Sequence, residues 1–440
     1  MTPINPNPNS FHGLNIAPKL LEILTQKGFK SPTPIQLQAI PIAIEGKDLM
    51  GIAQTGTGKT LGFGIPMLQR IAQSQGKLKG LVLLPTRELA LQVNESLQNI
   101  GRALGLKTAV LIGGEAMNRQ HVALRAKPHI VIATPGRLID HLEHKSVSLS
   151  QVGILVLDEA DRMLDMGFAP QLKQILNHVP KERQTLLFSA TMPPAIVQIA
   201  SNYMKLPVRV EVAPSGSVAS KVSQEIIFVE KNGKLEQLKK ILTEYKGSTL
   251  VFSRTKHGAK KIAQAVRNMG HTAVEIHSNR SLNQRLEALK GFKLGRYRVM
   301  VATDIAARGI DVTGIELVIN FDLPEQAEDY VHRIGRTGRA ERSGHAISLA
   351  TPDQRRDVRD IERLIKKQLP TKHAASVKPN AMTEDAFTPQ FERKNPRPFH
   401  EPRRAFGKPK PSSSSWSRQR PRTSPFSRPR FGRNFVKRTK

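Results

Sequence analysis

The octapeptide Ala53-Gln54-Thr55-Gly56-Thr57-Gly58-Lys59-Thr60 follows directly on the apolar run Leu49-Met50-Gly51-Ile52. No other stretch constrains the fold as much. A glycine-rich turn between a buried strand and a helix points successive backbone N–H groups into a concavity at the positive end of the helix, where phosphate oxygens can sit. Such a turn belongs at the carboxyl edge of an open parallel sheet, which is where α/β proteins bind ligands. Lys59 adds a point charge for phosphates, and the Thr60 hydroxyl suits Mg²⁺. Ala53 stands where the strict phosphate-loop pattern has glycine, and Leu61 stands where a dinucleotide fingerprint has its third glycine. A nucleoside triphosphate therefore fits better than a dinucleotide.

A second element supplies the chemistry that a phosphate loop lacks. The run Ile154-Leu155-Val156-Leu157 ends in Asp158-Glu159-Ala160-Asp161. A carboxylate at the end of a buried strand can hold Mg²⁺ through water, which we expect of Asp158. Its neighbour Glu159 can orient or deprotonate an attacking water. Hydrolysis of a triphosphate follows from the pair together.

Further apolar runs recur between helical stretches: Leu81–Leu84, Ala109–Ile112, Ile130–Ala133 and Thr185–Phe188. A second set spans Ile226–Val229, Thr249–Phe252, Ala273–Ile276, Val299–Ala302, Leu317–Ile319 and Ala346–Leu349. Continuous runs of this kind predict parallel strands covered on both faces. Between the sets, Ala213-Pro214-Ser215-Gly216-Ser217 reads as a break. The expected organisation is α/β with two tandem domains, 1–212 and 222–370, joined by a linker at 213–221 and followed by a disordered basic tail at 371–440.

The tetrad Asp158–Asp161 spells DEAD, and with the motifs around it the chain resembles the DEAD-box RNA helicases over residues 11–370. That resemblance implies two RecA-like domains with ATP and RNA in the cleft between them. Gly28-Phe29-Lys30-Ser31-Pro32-Thr33-Pro34-Ile35-Gln36 resembles the family's Q motif, in which Phe29 would stack on adenine and Gln36 would read its edge. Pro85-Thr86-Arg87-Glu88-Leu89-Ala90, Gly113-Gly114 and Thr134-Pro135-Gly136-Arg137 resemble the track that grips single-stranded RNA. The resemblance thus assigns Arg87, Gly114, Thr134 and Arg137 to the RNA backbone, contacts that carry little base information. Ser189-Ala190-Thr191 resembles the segment that links hydrolysis to strand separation, with Asp161 as its partner. In the second domain, the Val301–Asp311 stretch implies RNA contact by Thr303 and ribose contact by Asp311. His332-Arg333-Ile334-Gly335-Arg336-Thr337-Gly338-Arg339 resembles the arginine-finger motif, with Arg336 and Arg339 reaching the γ-phosphate and His332 in the coupling network.

One position departs from the family pattern. A glutamine is usual three residues before the RNA-contacting arginine, here Arg285, but Leu282 occupies that place. A leucine cannot hydrogen-bond across the cleft, so weakened closure is the expectation.

Bulk properties agree with a nucleic-acid partner. The chain has 68 Lys and Arg against 36 Asp and Glu, a formal charge of +32, which calls for a polyanion. Residues 371–440 hold 18 of those cations and 4 of the anions, or 18 − 4 = +14. Isolated aromatics such as Trp416 and Phe426 lie among these arginines and can stack on unpaired bases. The core followed by such a tail looks most like the bacterial RhlE-type subgroup. The expected partners are single-stranded and structured RNA, with ribosomal or RNA-decay proteins in addition, and the chain is expected to act as a monomer. With no cysteine, disulfides and thiolate metal sites are excluded. No apolar run approaches the roughly 20 residues that span a bilayer, and the first ten residues have no basic start or apolar stretch. A cytoplasmic location is expected. An RNA annealer with the tail as its main binding module is the alternative to a helicase.

Overall fold

The computed structural model describes residues 10–54, 56–76, 79–212, 222–304, 315–338 and 344–374. All lie in one compact unit, Met1–Lys378; the second unit, Pro379–Lys440, lies outside the described residues.

The first half supplies strands β1 (Leu49–Ile52), β2 (Lys79–Leu83), β3 (Thr108–Leu111), β4 (Ile130–Ala133), β5 (Val152–Leu157), β6 (Gln184–Ser189) and β7 (Val208–Glu211). They form one sheet in the order β3-β4-β2-β5-β6-β1-β7. The second half supplies β8 (Val222–Phe228), β9 (Thr249–Phe252), β10 (Ala273–Ile276), β11 (Val299–Ala302), β12 (Leu317–Asn320), β13 (Gly344–Ala350) and β14 (Thr371–His373). Their order is β10-β11-β9-β12-β13-β8-β14. Subtracting seven from each label gives the first order, so the two domains share one topology strand for strand.

Every strand pairing in both sheets is parallel. Central strands such as β6, β9, β11 and β12 are buried at each position, as a sheet covered on both faces requires. Separate apolar layers lie on either face of each sheet.

One expected boundary needs correction. Residues 371–373, assigned from sequence to the tail, are β14, which pairs parallel with β8 from Thr371↔Ile226 to His373↔Phe228. The His373 ring also stacks on Phe228 with centroids 5.5 Å apart. All three residues of β14 are exposed, so backbone pairing rather than apolar burial holds it. The 213–221 linker and the tail beyond Ala374 lie outside the described residues.

Candidate functional site

β1 delivers the chain into the glycine loop and then into the helix Lys59–Gln73. Gly56 and Gly58 take φ +84° and +91°, a region that L side chains enter only at a cost. The Gly58 carbonyl accepts a bond from Gln36 Nε2 at 2.9 Å, and Gln36 Oε1 accepts one from the Thr33 backbone N–H at 3.0 Å. A primary amide has two N–H groups and two lone pairs. One of each is thus spent on the protein, and one of each remains, the donor–acceptor pair an adenine edge needs. Phe29 is exposed at 37%, and Thr60 is half-buried in the first turn of the helix. Lys59 is buried and turns back on the loop, donating to the Ala53 carbonyl at 2.8 Å. The Thr57 hydroxyl donates to the Gln54 carbonyl at 2.8 Å. Thr55 lies outside the described residues.

Across the same sheet edge, β5 ends in the acidic tetrad. Asp158, Glu159 and Asp161 are each 3% exposed. Burial pushes the Asp158 carboxyl up to about 6, with the Lys59 charge opposing the rise. Asp161 goes the other way: burial alone would raise it, but the Lys59 and Arg162 charges and a hydrogen bond from Thr191 hold it below its ordinary value. Its Oδ2 accepts from the Ala190 N–H at 3.0 Å, and from the Thr191 N–H and hydroxyl at 2.9 Å each. The Asp161 N–H donates to Ser189 Oγ at 3.3 Å. Glu159 sits at φ +51°, a left-handed backbone that costs a non-glycine residue on the order of 1–3 kcal/mol and tends to cluster at active sites. Its carboxylate meets Arg162 at 3.1 Å, and Arg162 also reaches Nδ1 of His332 in the second domain at 3.1 Å. The donor set fits Mg²⁺: Asp158 and Thr60 offer hard oxygens, and Asp158 is a buried carboxylate that a nearby cation would keep ionised.

The residues assigned to RNA divide. The Arg87 guanidinium lies against Gly113 and Gly114, so close that a Cβ on Gly114 would collide with it. Arg137 braces the same loop by donating to the Glu115 carbonyl at 3.0 Å. Thr134 is buried at the N-cap position of the helix Pro135–Glu143, and its side chain makes no capping bond. Arg285 is placed differently: its guanidinium pairs with buried Glu88 of the first domain at 2.9 Å. Leu282, from which weakened closure is expected, is 7% exposed and belongs to the first domain's apolar cluster. Thr303 lines a cavity of about 260 Å³ with Asp165, Asp304, Glu325, Asp329 and Arg254, a setting more acidic than a phosphate track. Arg336 is 3% exposed and shares a narrow cavity with Arg162 and His332. Asp311 and Arg339 lie outside the described residues.

Sequence reasoning overlooked Glu88 and Arg162. Glu88 lay inside a quoted motif and was given no partner. Arg162 stands three residues after Glu159, a spacing that places two helical side chains on one face.

The comparisons with known proteins accord with this geometry. Residues 33–199 match the family model for a DEAD/DEAH box helicase, and residues 233–341 match that for a helicase conserved C-terminal domain. The chain is 42% identical over 361 residues to the DEAD-box ATP-dependent RNA helicase CshA of Bacillus subtilis, covering 82% of this chain and 73% of that protein. It is 44% identical over 363 residues to the ATP-dependent rRNA helicase RRP3 of Debaryomyces hansenii, covering 82% and 76%. Among solved structures, Saccharomyces cerevisiae Dbp5 bound to RNA and ADP BeF3 superposes with a TM-score of 0.74 at 28% identity, over 83% of this chain and 96% of that one. Two RecA-like domains with a phosphate loop and an acidic strand end define a nucleic-acid-dependent ATPase of the helicase class. Within that class, the chain belongs to the DEAD-box family of ATP-dependent RNA helicases.

Proposed function

We propose that the chain couples ATP turnover to closure of its two domains on single-stranded RNA, and so opens short duplexes or remodels RNA–protein complexes. The observation that carries this reading is the convergence on one cleft of the Lys59 loop, the Asp158–Asp161 tetrad and His332 of the second domain. Lys59 and the loop N–H groups hold the phosphates, Phe29 and Gln36 select adenine, and Thr60 with Asp158 would hold Mg²⁺. When bound, that ion neutralises charge on the phosphate oxygens. Glu159 takes the proton of the attacking water as its oxygen bonds to the γ-phosphorus and the bridging P–O bond breaks toward ADP. Arg336, together with Arg339, stabilises charge on the transferring group, an effect worth about 10³–10⁵ in rate where such fingers have been measured.

RNA lies along Arg87, Gly114, Thr134 and Arg137 of the first domain; the acidic surroundings of Thr303 disfavour a phosphate contact there. The basic tail adds affinity without sequence preference, since counterion release depends on charge alone. The RhlE-type subgroup remains our finer assignment, supported by the core-plus-basic-tail layout. Among the described residues no helix is long and apolar enough to cross a membrane. The reading is completed by a cytoplasmic monomer that meets ribosomal or RNA-decay proteins.

The test is steady-state ATP hydrolysis with and without single-stranded RNA, on the full chain and on Glu159→Gln. RNA should stimulate the full chain. Glu159→Gln should still bind ATP and RNA but turn over at least about 100-fold more slowly, the usual scale for loss of a general base. Normal turnover by Glu159→Gln would remove Glu159 from the chemistry.

A further inference from the structure

Arg162 is one of the largest fully buried side chains of the molecule, at 1% exposure. Taking a guanidinium out of water costs several kcal/mol unless its charge and hydrogen bonds are answered. The groups that answer it therefore indicate what it does. One Nη lies 3.1 Å from Glu159 Oε2, and the other lies 3.1 Å from His332 Nδ1. Arginine can only donate, so His332 must offer a lone pair at Nδ1 and carry its proton on Nε2. Two hydrogen bonds thus run from the Glu159 carboxylate through Arg162 into the second domain. Arg162 also lines the narrow cavity that holds Arg336. The Glu159 N–H is fixed on Asp158 Oδ1 at 2.9 Å, but that backbone bond does not set the direction of its carboxylate, which lies beyond three side-chain torsions. Arg162 is what holds it.

We propose that Arg162 is a positioning residue: it aims the Glu159 carboxylate and makes that aim depend on His332, and hence on the second domain being docked. The inference rests on Glu159 acting as the general base. The bland alternative is that Arg162 merely neutralises the buried acids Glu159 and Asp161. The two differ in what a lysine can do. An ammonium at position 162 keeps the charge but has no fork to span a carboxylate and an imidazole at once.

The experiment measures kcat and KM for ATP at saturating single-stranded RNA for Arg162→Gln, Arg162→Lys, His332→Ala and the double variant Arg162→Gln with His332→Ala. Arg162→Gln and Arg162→Lys should each lower kcat by about tenfold or more with KM for ATP within about threefold, the pattern of a contact made in the transition state. Adding His332→Ala to Arg162→Gln should lower kcat by less than about twofold further, because both changes cut one connection. Thermal melts identify a variant that fails to fold; Arg162→Lys keeps the buried charge and carries the test if Arg162→Gln does not fold. Wild-type kcat in Arg162→Lys, or full multiplication of the two single effects, overturns the proposal. Glu159→Gln, measured alongside, separates two failures. If it hydrolyses ATP normally, the base assignment falls and the inference falls with it. If it is inactive while Arg162→Lys is normal, only the inference falls.

Discussion

At the scale of single residues, Gly58 shows how tightly the loop is determined. Its φ of +91° lies outside the comfortable range of any L side chain, and a Cβ there would overlap Gln36 Nε2 and approach Thr33 Oγ1 to 2.9 Å. Gly58→Ala therefore meets two separate penalties. The backbone term is about 1–2 kcal/mol, and relieving the overlap means displacing Gln36, the residue assigned to adenine. ATP affinity should fall by about tenfold or more, with the melting temperature of the nucleotide-free chain lowered by only a few degrees. Titration with a fluorescent ATP analogue checks the first and a thermal melt the second. A large loss of stability with unchanged affinity would mean that Gln36 does not read the nucleotide.

At the scale of elements, the helix Pro135–Glu143 carries a buried histidine on its core side. His141 is fully buried, with Nδ1 2.7 Å from Ser146 Oγ and Nε2 3.0 Å from Gln120 Oε1. Gln120 in turn donates to the Ile112 carbonyl at 2.8 Å, just before Gly113 and Gly114. Burial, helped by the nearby charges of His121 and Arg137, lowers His141 to about 4. The unfolded chain takes up a proton near pH 6.5 that the folded chain refuses until about pH 4. This contribution is complete above pH 6.5 and is lost progressively as pH falls to about 4. At pH 5 the loss is about 2 kcal/mol. His141→Gln should lose less stability than the parent chain between pH 7 and pH 5, as denaturant titrations at the two values would show. Equal losses would place the acid sensitivity elsewhere.

The same helix shows what was legible in advance. A polar helix end suits exposed His144 but not buried His141, because a single polar residue gives no hint of buried partners 5 and 21 positions away. Buried strands were legible because both faces are covered, which leaves an unbroken apolar run. The edge strands β7 and β14 were not, since Val208-Arg209-Val210-Glu211 and Thr371-Lys372-His373 are held mainly by backbone bonds to one neighbour. The site divides in the same way. The loop and the acidic tetrad are local in sequence and were found; Glu88–Arg285 and Arg162–His332 join residues 197 and 170 positions apart, and no local pattern encodes them.

At the scale of the whole molecule, the question is what holds the two domains together. Leu282 belongs to the helix Leu282–Lys293 of the second domain, yet it lies in the first domain's apolar cluster, with Leu286 packed against that cluster and Arg285 on Glu88 between them. Apolar contact needs no donor or acceptor, so the leucine that cannot hydrogen-bond across the cleft contributes to closure by another route. Burying a leucine side chain is worth about 1.5–3 kcal/mol. In an opened molecule Leu282 would be exposed, so its burial bears on docking and not on the stability of either domain. Leu282→Ala should shift the open–closed equilibrium toward open by about 30-fold, taking 2 kcal/mol as the middle of that range. The chain has no cysteine, so Leu206→Cys and Leu294→Cys, at positions 96% and 64% exposed, give one dye site in each domain. Energy transfer between them, measured with ATP and single-stranded RNA, should show a smaller closed population in Leu282→Ala than in the parent, and unfolding should be unchanged when neither ligand is present. A closed population equal to the parent's would assign closure to the Glu88–Arg285 pair. Arg285→Ala, which leaves a buried carboxylate unpaired at a cost of about 3–5 kcal/mol, would then open the molecule alone.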